Sequence, residues 1–324
     1  MTPSTWLISL MAVSNWLHNW QAPLLIVLGL IALSYGGYIL VPSTINLAQK
    51  FKLSPAVIAV IVIAGGTSAP ELIVSVQAAF YDSAAIALGN VIGSNLANSW
   101  LVLGLGALIA PICLISPHAY RDGWVMTGLT AILLICLFTF EALTALPAIL
   151  LLGITIYYIA HLISVDEISP EDEPEADSSL TKALLMTSLA LISLLAGADL
   201  VVSGGQILAR QAGISEGTIG LTIVAIGTSL PEIVAVIASQ LRGRTDIALG
   251  NVLGSNIFNI GLILGLAAFV QPLPLGQGIS IASLLFLAAA SASLMMMIYA
   301  KITIRKRMAF VFVGFYFLFL NQQF

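Results

Sequence analysis

The chain has 324 residues, 59% of them hydrophobic and 8% charged, with a formal net charge of −4 and a mean hydropathy of +1.06. A soluble domain carries roughly 25% charged residues, so the composition excludes a water-soluble globular protein and points to an all-α polytopic membrane protein surrounded by lipid. The negative charge identifies no partner, because seven of the 15 acids lie together between Asp166 and Asp177. No nucleic-acid partner is expected.

Residues 6–20 are apolar but hold Asn15, His18 and Asn19 and lack a basic leader, so 1–22 reads not as a signal peptide but first as an interfacial helix outside the cytoplasm, with an eleventh span as the alternative. Apolar runs then mark ten spans: 23–46, 54–80, 85–110, 121–140, 144–164, 181–209, 216–241, 246–270, 277–299 and 306–322. Between the fifth and sixth, residues 165–180 form an acidic, proline-containing linker read as a solvated cytoplasmic tether. It divides the chain into two five-helix repeats, 23–164 and 181–324. Lys50, Lys52, Arg121, Lys182, Arg242, Arg244, Lys301, Arg305, Lys306 and Arg307 fall on one side of such a ten-span plan, and only Arg210 on the other. The positive-inside rule makes the first side cytoplasmic and puts both termini outside a plasma (inner) membrane. Trp16, Trp20, Trp100 and Trp124 read as interface anchors. Cys113 and Cys136, lone residues in apolar settings, imply no disulfide.

Two strings occur twice at an offset of 161. Gly66-Thr67-Ser68-Ala69-Pro70-Glu71 returns as Gly227-Thr228-Ser229-Leu230-Pro231-Glu232, and Gly89-Asn90-Val91-Ile92-Gly93-Ser94-Asn95 as Gly250-Asn251-Val252-Leu253-Gly254-Ser255-Asn256. From Ala64 to Leu105, 20 of 42 positions match their partners without a gap, polar residues included, which shared apolar composition does not supply. An odd number of spans per copy inserts the second copy upside down. This inverted-repeat plan places a site near the midplane at broken helices 2 and 7.

Ala64, Thr67, Ser68 and Glu71 share one helix face, and Ala225, Thr228, Ser229 and Glu232 repeat it. Pro70 and Pro231 cannot donate to the carbonyls of Gly66 and Gly227, so each face adds freed carbonyls to its hydroxyls and carboxylate. Such hard oxygen donors suit Na+ and Ca2+. Asn90, Ser94 and Asn98 make a polar stripe on the next helix, matched by Asn251, Ser255 and Asn259, with Asn95 and Asn256 just off it. Ser, Thr and Asn also glue ordinary membrane helices together, so the asparagines fit either role. A midplane carboxylate costs roughly 2.5–3.5 kcal/mol even on the lenient insertion scale, and neither Glu71 nor Glu232 has a cationic side chain in reach along its helix. A mobile cation is the expected partner. A proton can neutralise a carboxylate too, which leaves proton/Ca2+ exchange as the alternative. No nucleophile–base set, nucleotide loop or transition-metal spacing occurs, so no enzyme activity and no cofactor are expected.

At these paired strings the chain resembles the sodium/calcium exchanger family of the calcium/cation antiporter superfamily. The resemblance implies Ca2+ and Na+ alternating at one midplane cluster. It implies Glu71, Glu232 and the carbonyls of Thr67 and Thr228 as Ca2+ ligands. Ala64, Ser68, Ala225, Ser229, Ser94 and Ser255, with the same two glutamates, would hold Na+, and Asn98 and Asn259 would form the central polar pair. Many family members carry Asp where this chain has Asn259, so the cluster here is expected to hold two acids. The expected function is secondary Ca2+/Na+ antiport by alternating access, carried out by a monomer.

Overall fold

A computed structural model describes residues 3–81, 83–165, 179–213, 225–275 and 279–322, with side chains from residue 20 onward except those of Pro117 and Ala225. The acidic linker expected at 165–180 lies almost wholly outside the described residues. Helix is the answer lipid imposes, because each backbone N–H and C=O must be satisfied within its own segment. A serine closing the preceding break supplies the starts: Ser54, Ser116, Ser179 and Ser280 each accept a hydrogen bond from a first-turn amide.

In chain order the helices are α1 (Pro3–Phe51), α2 (Pro55–Thr67), α3 (Ala69–Phe80), α4 (Ala84–Ile109), α5 (Pro117–Phe140), α6 (Ala145–Val165), α7 (Leu180–Gln211), α8 (Ala225–Thr228), α9 (Leu230–Leu241), α10 (Thr245–Val270), α11 (Ile281–Tyr299) and α12 (Lys306–Asn321). Among the described residues, seven helices are long and apolar enough to cross a membrane, or eight when α2 and α3 count as one bent span. The remaining two expected spans correspond to α9, preceded by residues outside the described set, and to α12, 16 residues long. The first helix shows no break at the boundary expected between 22 and 23. It runs on for 49 residues, about 74 Å at 1.5 Å per residue, well beyond a hydrocarbon core of about 30 Å.

Burial sets the layers. The apolar windows of α4 and α10 are 78% and 83% buried, against 28% for α6 and α7, so the two repeat-bearing helices stand at the centre and the others surround them. Outside this bundle, α1 packs along α7, with Ser193 Oγ donating to Ala32 O at 2.8 Å.

Four two-residue strands follow helix ends: β1 (Ile112–Cys113), β2 (Ala142–Leu143), β3 (Leu273–Pro274) and β4 (Thr303–Ile304). β1 pairs antiparallel with β4, and β2 with β3. Moving each residue by the repeat offset carries one pair onto the other: Ile112↔Ile304 becomes Leu273↔Leu143, and Cys113↔Thr303 becomes Pro274↔Ala142. Each half thus lends its strands to the other.

Trp100 corrects the interface-anchor expectation. It is 5% exposed and packs in the core against Phe286 and Phe315, with ring centroids 5.7 and 5.6 Å apart. Trp20 and Trp124 are more than half exposed, as an outward anchor requires. A buried acid that sequence reasoning passed over, Asp122, is held by Arg121 Nε at 2.9 Å.

Candidate ion-binding site

The two copies of the Gly-Thr-Ser-x-Pro-Glu string form two matching helix breaks. Between α2 and α3 the axis bends by 50° at Ser68, whose φ of −81° and ψ of 8° leave the helix. Ser229, at φ −88° and ψ 1°, does the same between α8 and α9. Pro70 and Pro231 sit in the first turn of the helices that follow, where a missing N–H costs no bond. Gly66 and Gly227 keep ordinary helical backbone; their need is close packing on α7. A Cβ on Gly66 would stand 2.7 Å from Leu191 Cδ1, and one on Gly227 2.1 Å from Val202 Cγ2.

The breaks bring both carboxylates inside. Glu71 and Glu232 are each 1% exposed and lie close enough to repel one another. Hydroxyls from the opposite copy reach each of them. Ser68 Oγ donates to Glu232 Oε1 at 3.5 Å, the Thr67 hydroxyl also meets Glu232, and the Thr228 hydroxyl meets Glu71. From α4, Ser94 Oγ donates to Glu71 Oε1 at 3.3 Å. Asn90 Nδ2 donates to Glu71 O at 3.2 Å and Ser75 Oγ at 2.9 Å.

Where the central helices pass the carboxylates, their hydrogen bonding widens to π-helix, at Ala97–Val102 in α4 and Phe258–Leu264 in α10. A third π segment, Ala59–Ala64, precedes the bend in α2. π segments recur at functional sites because they reset which side chains face inward. Asn98 and Asn259, both 1% exposed, occupy the two equivalent π segments. Asn259 Nδ2 donates to Asn95 Oδ1 at 3.0 Å, and Asn256 Nδ2 to Ser99 Oγ at 3.0 Å, so amides tie α4 to α10.

Several buried polar atoms here have no partner: the second oxygens of both glutamates, the carbonyl oxygens of Asn98, Asn256 and Asn259, the hydroxyls of Ser229 and Ser255, and both amide atoms of Asn251. Buried polar groups are normally satisfied. Oxygens predominate among these orphaned atoms, beside the Nδ2 atoms of Asn95 and Asn251, and oxygens are the donors a hard cation takes. Among the described residues no ion pair reaches Glu71 or Glu232, and no group of three or more His, Cys, Asp or Glu suited to a softer metal occurs. One expected donor is already engaged: Ala64 O accepts from Ser68 N at 3.0 Å and Thr67 Oγ1 at 3.4 Å. In the other copy Ser229 N turns to Ile226 O at 3.2 Å.

Paired helix breaks, paired buried carboxylates and amide-linked central helices invite comparison with known transporters. The sequence profile of the family described as "Sodium/calcium exchanger protein" matches residues 21–164 and 182–324, nearly the whole of both halves. The chain belongs to the sodium/calcium exchanger family. Its relatives include the inner membrane protein YrbG of Escherichia coli, 34% identical over 262 residues that cover 78% of this chain and 80% of YrbG. The sodium/calcium exchanger MaX1 of Methanosarcina acetivorans is 30% identical over 295 residues, covering 78% and 84%. Among solved structures, the sodium-calcium exchanger NCX_Mj soaked with Na+ and Ca2+ superimposes with a TM-score of 0.82 at 30% identity, over 93% of this chain and 97% of that one. This family member is therefore a multi-pass membrane protein with a cation-antiporter fold, not an enzyme fold.

Proposed function

We propose that this protein exchanges Ca2+ for Na+ across the plasma (inner) membrane by alternating access. The observation that carries the reading is the pair Glu71 and Glu232, both buried, each with an unpartnered oxygen and with no ion pair among the described residues. One Ca2+ neutralises the two carboxylates, and Na+ ions do the same in its place. With the cluster empty, two bare charges face the desolvation cost of an unpaired buried ion, several kcal/mol each. That cost holds the empty carrier in place and couples the two fluxes.

Glu71, Glu232 and the carbonyls of Thr67 and Thr228 are the Ca2+ ligands in this reading. Ser68, Ser229, Ser94, Ser255 and the carbonyls of Ala64 and Ala225 serve Na+, and Asn98 and Asn259 close the cluster. Ten spans in two inverted halves, with the basic loops and the acidic linker in the cytoplasm and both termini outside, supply the geometry. A monomer carries the whole site.

Sealed vesicles containing the protein test the reading. A Na+ gradient at clamped pH is expected to drive Ca2+ uptake, and Glu71→Gln or Glu232→Gln to abolish it. Uptake driven by a pH gradient alone assigns the chain to proton/Ca2+ exchange instead. Na+-driven uptake that survives both substitutions removes the site from these carboxylates.

A further inference from the structure

Asn95 stands outside the ligand set just described, yet the only hydrogen bond that Asn259 makes among the described residues is to it: Asn259 Nδ2 to Asn95 Oδ1, 3.0 Å. Both residues are nearly inaccessible, at 1% and 2% exposure. The far ends of the pair, Asn259 Oδ1 and Asn95 Nδ2, are buried without partners. An amide has one donor end and one acceptor end. A head-to-tail amide pair can therefore point either way: this sense leaves a carbonyl oxygen free on Asn259, and the reverse sense would leave an NH2 there. Only a free oxygen can serve a cation. An aspartate at 259 would need no such orientation, since both of its oxygens accept; an asparagine does.

We infer that Asn95 is a positioning residue of the cation site: by accepting from Asn259 Nδ2 it holds the Asn259 carbonyl oxygen toward the transported cation. The inference rests on the antiport reading above. The link runs from α4 to α10, so the oxygen is fixed only while the two halves keep their present register. A second cross-link between the same helices, Asn256 Nδ2 to Ser99 Oγ at 3.0 Å, supports that register without touching the pair. The repeat does not reproduce the device. By the offset of 161, Asn98 and Asn256 are the counterparts of Asn259 and Asn95, but Asn256 Oδ1 has no partner and its Nδ2 is spent on Ser99. Among the described residues, one amide of the central pair is oriented by a neighbour, and the other is not.

A double-mutant cycle in vesicles tests this, with the half-saturating Ca2+ concentration and the maximal rate measured separately under a fixed Na+ gradient. Asn95→Leu keeps the branched shape of the side chain, at a larger volume, and removes the acceptor. It is expected to raise half-saturation about five- to tenfold, the worth of one buried hydrogen bond, with little change in maximal rate per folded molecule. Asn259→Ala should raise it comparably, and the double variant no further than the larger single effect. Multiplicative effects, or an unchanged half-saturation in Asn95→Leu beside a raised one in Asn259→Ala, overturn the positioning role and leave the antiport reading standing. An unchanged half-saturation in Asn259→Ala removes Asn259 from the site and the proposal with it. Abolished uptake in wild-type protein under the Na+ gradient removes the antiport reading on which both depend. If Asn95→Leu does not assemble, as judged by detergent melting, Asn95→Ala carries the same test.

Discussion

The two copies of Gly-Asn-Val-x-Gly-Ser-Asn are nearly the same in sequence and unlike in surroundings. In α10, Asn251, Gly250 and Gly254 are buried. A Cβ on Gly250 would stand 2.7 Å from Ala56 O, and one on Gly254 2.9 Å from Val60 Cα, so the backbone of α2 lies directly against this helix. In α4, Gly89, Asn90 and Gly93 are all partly exposed, and among the described residues a Cβ on Gly89 would meet nothing nearer than Ile279 Cδ1 at 3.5 Å. The polar groups differ in the opposite sense: Asn90 has two acceptors, whereas Asn251 has none. Among the described residues, close packing marks one copy and satisfied hydrogen bonds the other. A single string cannot encode both environments; the fold assigns them.

Substitutions at matched positions break or sharpen this contrast. The largest difference is expected from glycine. Gly254→Ala pushes a methyl into the α2 backbone and should cost about 1–3 kcal/mol, seen as a lowered detergent melting temperature and reduced transport, while Gly93→Ala should be close to neutral in both. Equal losses would mean that the two faces are equally packed. A smaller contrast is expected from the asparagines. Asn90→Leu removes the donor to Glu71 O and Ser75 Oγ and should lower stability by about 1–3 kcal/mol, whereas Asn251→Leu removes an unsatisfied buried amide and should leave the melting temperature unchanged or raise it. The reverse order would place the satisfied polar contacts in the other half. The smallest effect belongs to the strands. Thr303→Cys faces Cys113 in the β1–β4 pair, at the roughly 4.5–5.5 Å Cα spacing of antiparallel partners, within disulfide reach. Oxidation should form a cross-link visible after proteolysis between the halves, with transport little changed. Absence of the cross-link would count against the strand exchange.

Much of this was legible from residue order. Apolar runs located most of the helices to within a few residues, because lipid leaves the backbone few choices; the first helix, which starts at Pro3 instead of residue 23, is the exception. The doubled Pro-Glu string located the breaks at Ser68 and Ser229, because proline removes a donor at a defined place. The i, i+4 stripe of Asn90, Ser94 and Asn98 placed three polar side chains on one face before any coordinates. Tertiary context decided the rest. The π segments at Asn98 and Asn259 come from packing and carry no signature residue. Trp100 looked like an interface anchor because tryptophans favour interfaces, and it proved to be a core residue because α11 and α12 bring Phe286 and Phe315 to it. Asp122 drew no attention because its neighbour Arg121 counted only as a cation on the cytoplasmic side, and residue order does not show that the two pair in a buried place. The orphaned Ser255 and bonded Ser94 are indistinguishable in sequence, since their difference lies in which carboxylate the conformation brings near.

The strand exchange reaches back to the origin of the chain. Contacts that map onto themselves when the halves trade places are the isologous contacts of a two-fold homodimer. A gene for one half would encode a polypeptide whose β1 and β2 find their partners only on a second molecule. The present protein is, in this sense, a homodimer whose subunits share one chain. Fusion freed the two copies to drift apart: Ser99, which accepts from Asn256, has Ile260 as its counterpart, a difference that two identical subunits could not have kept.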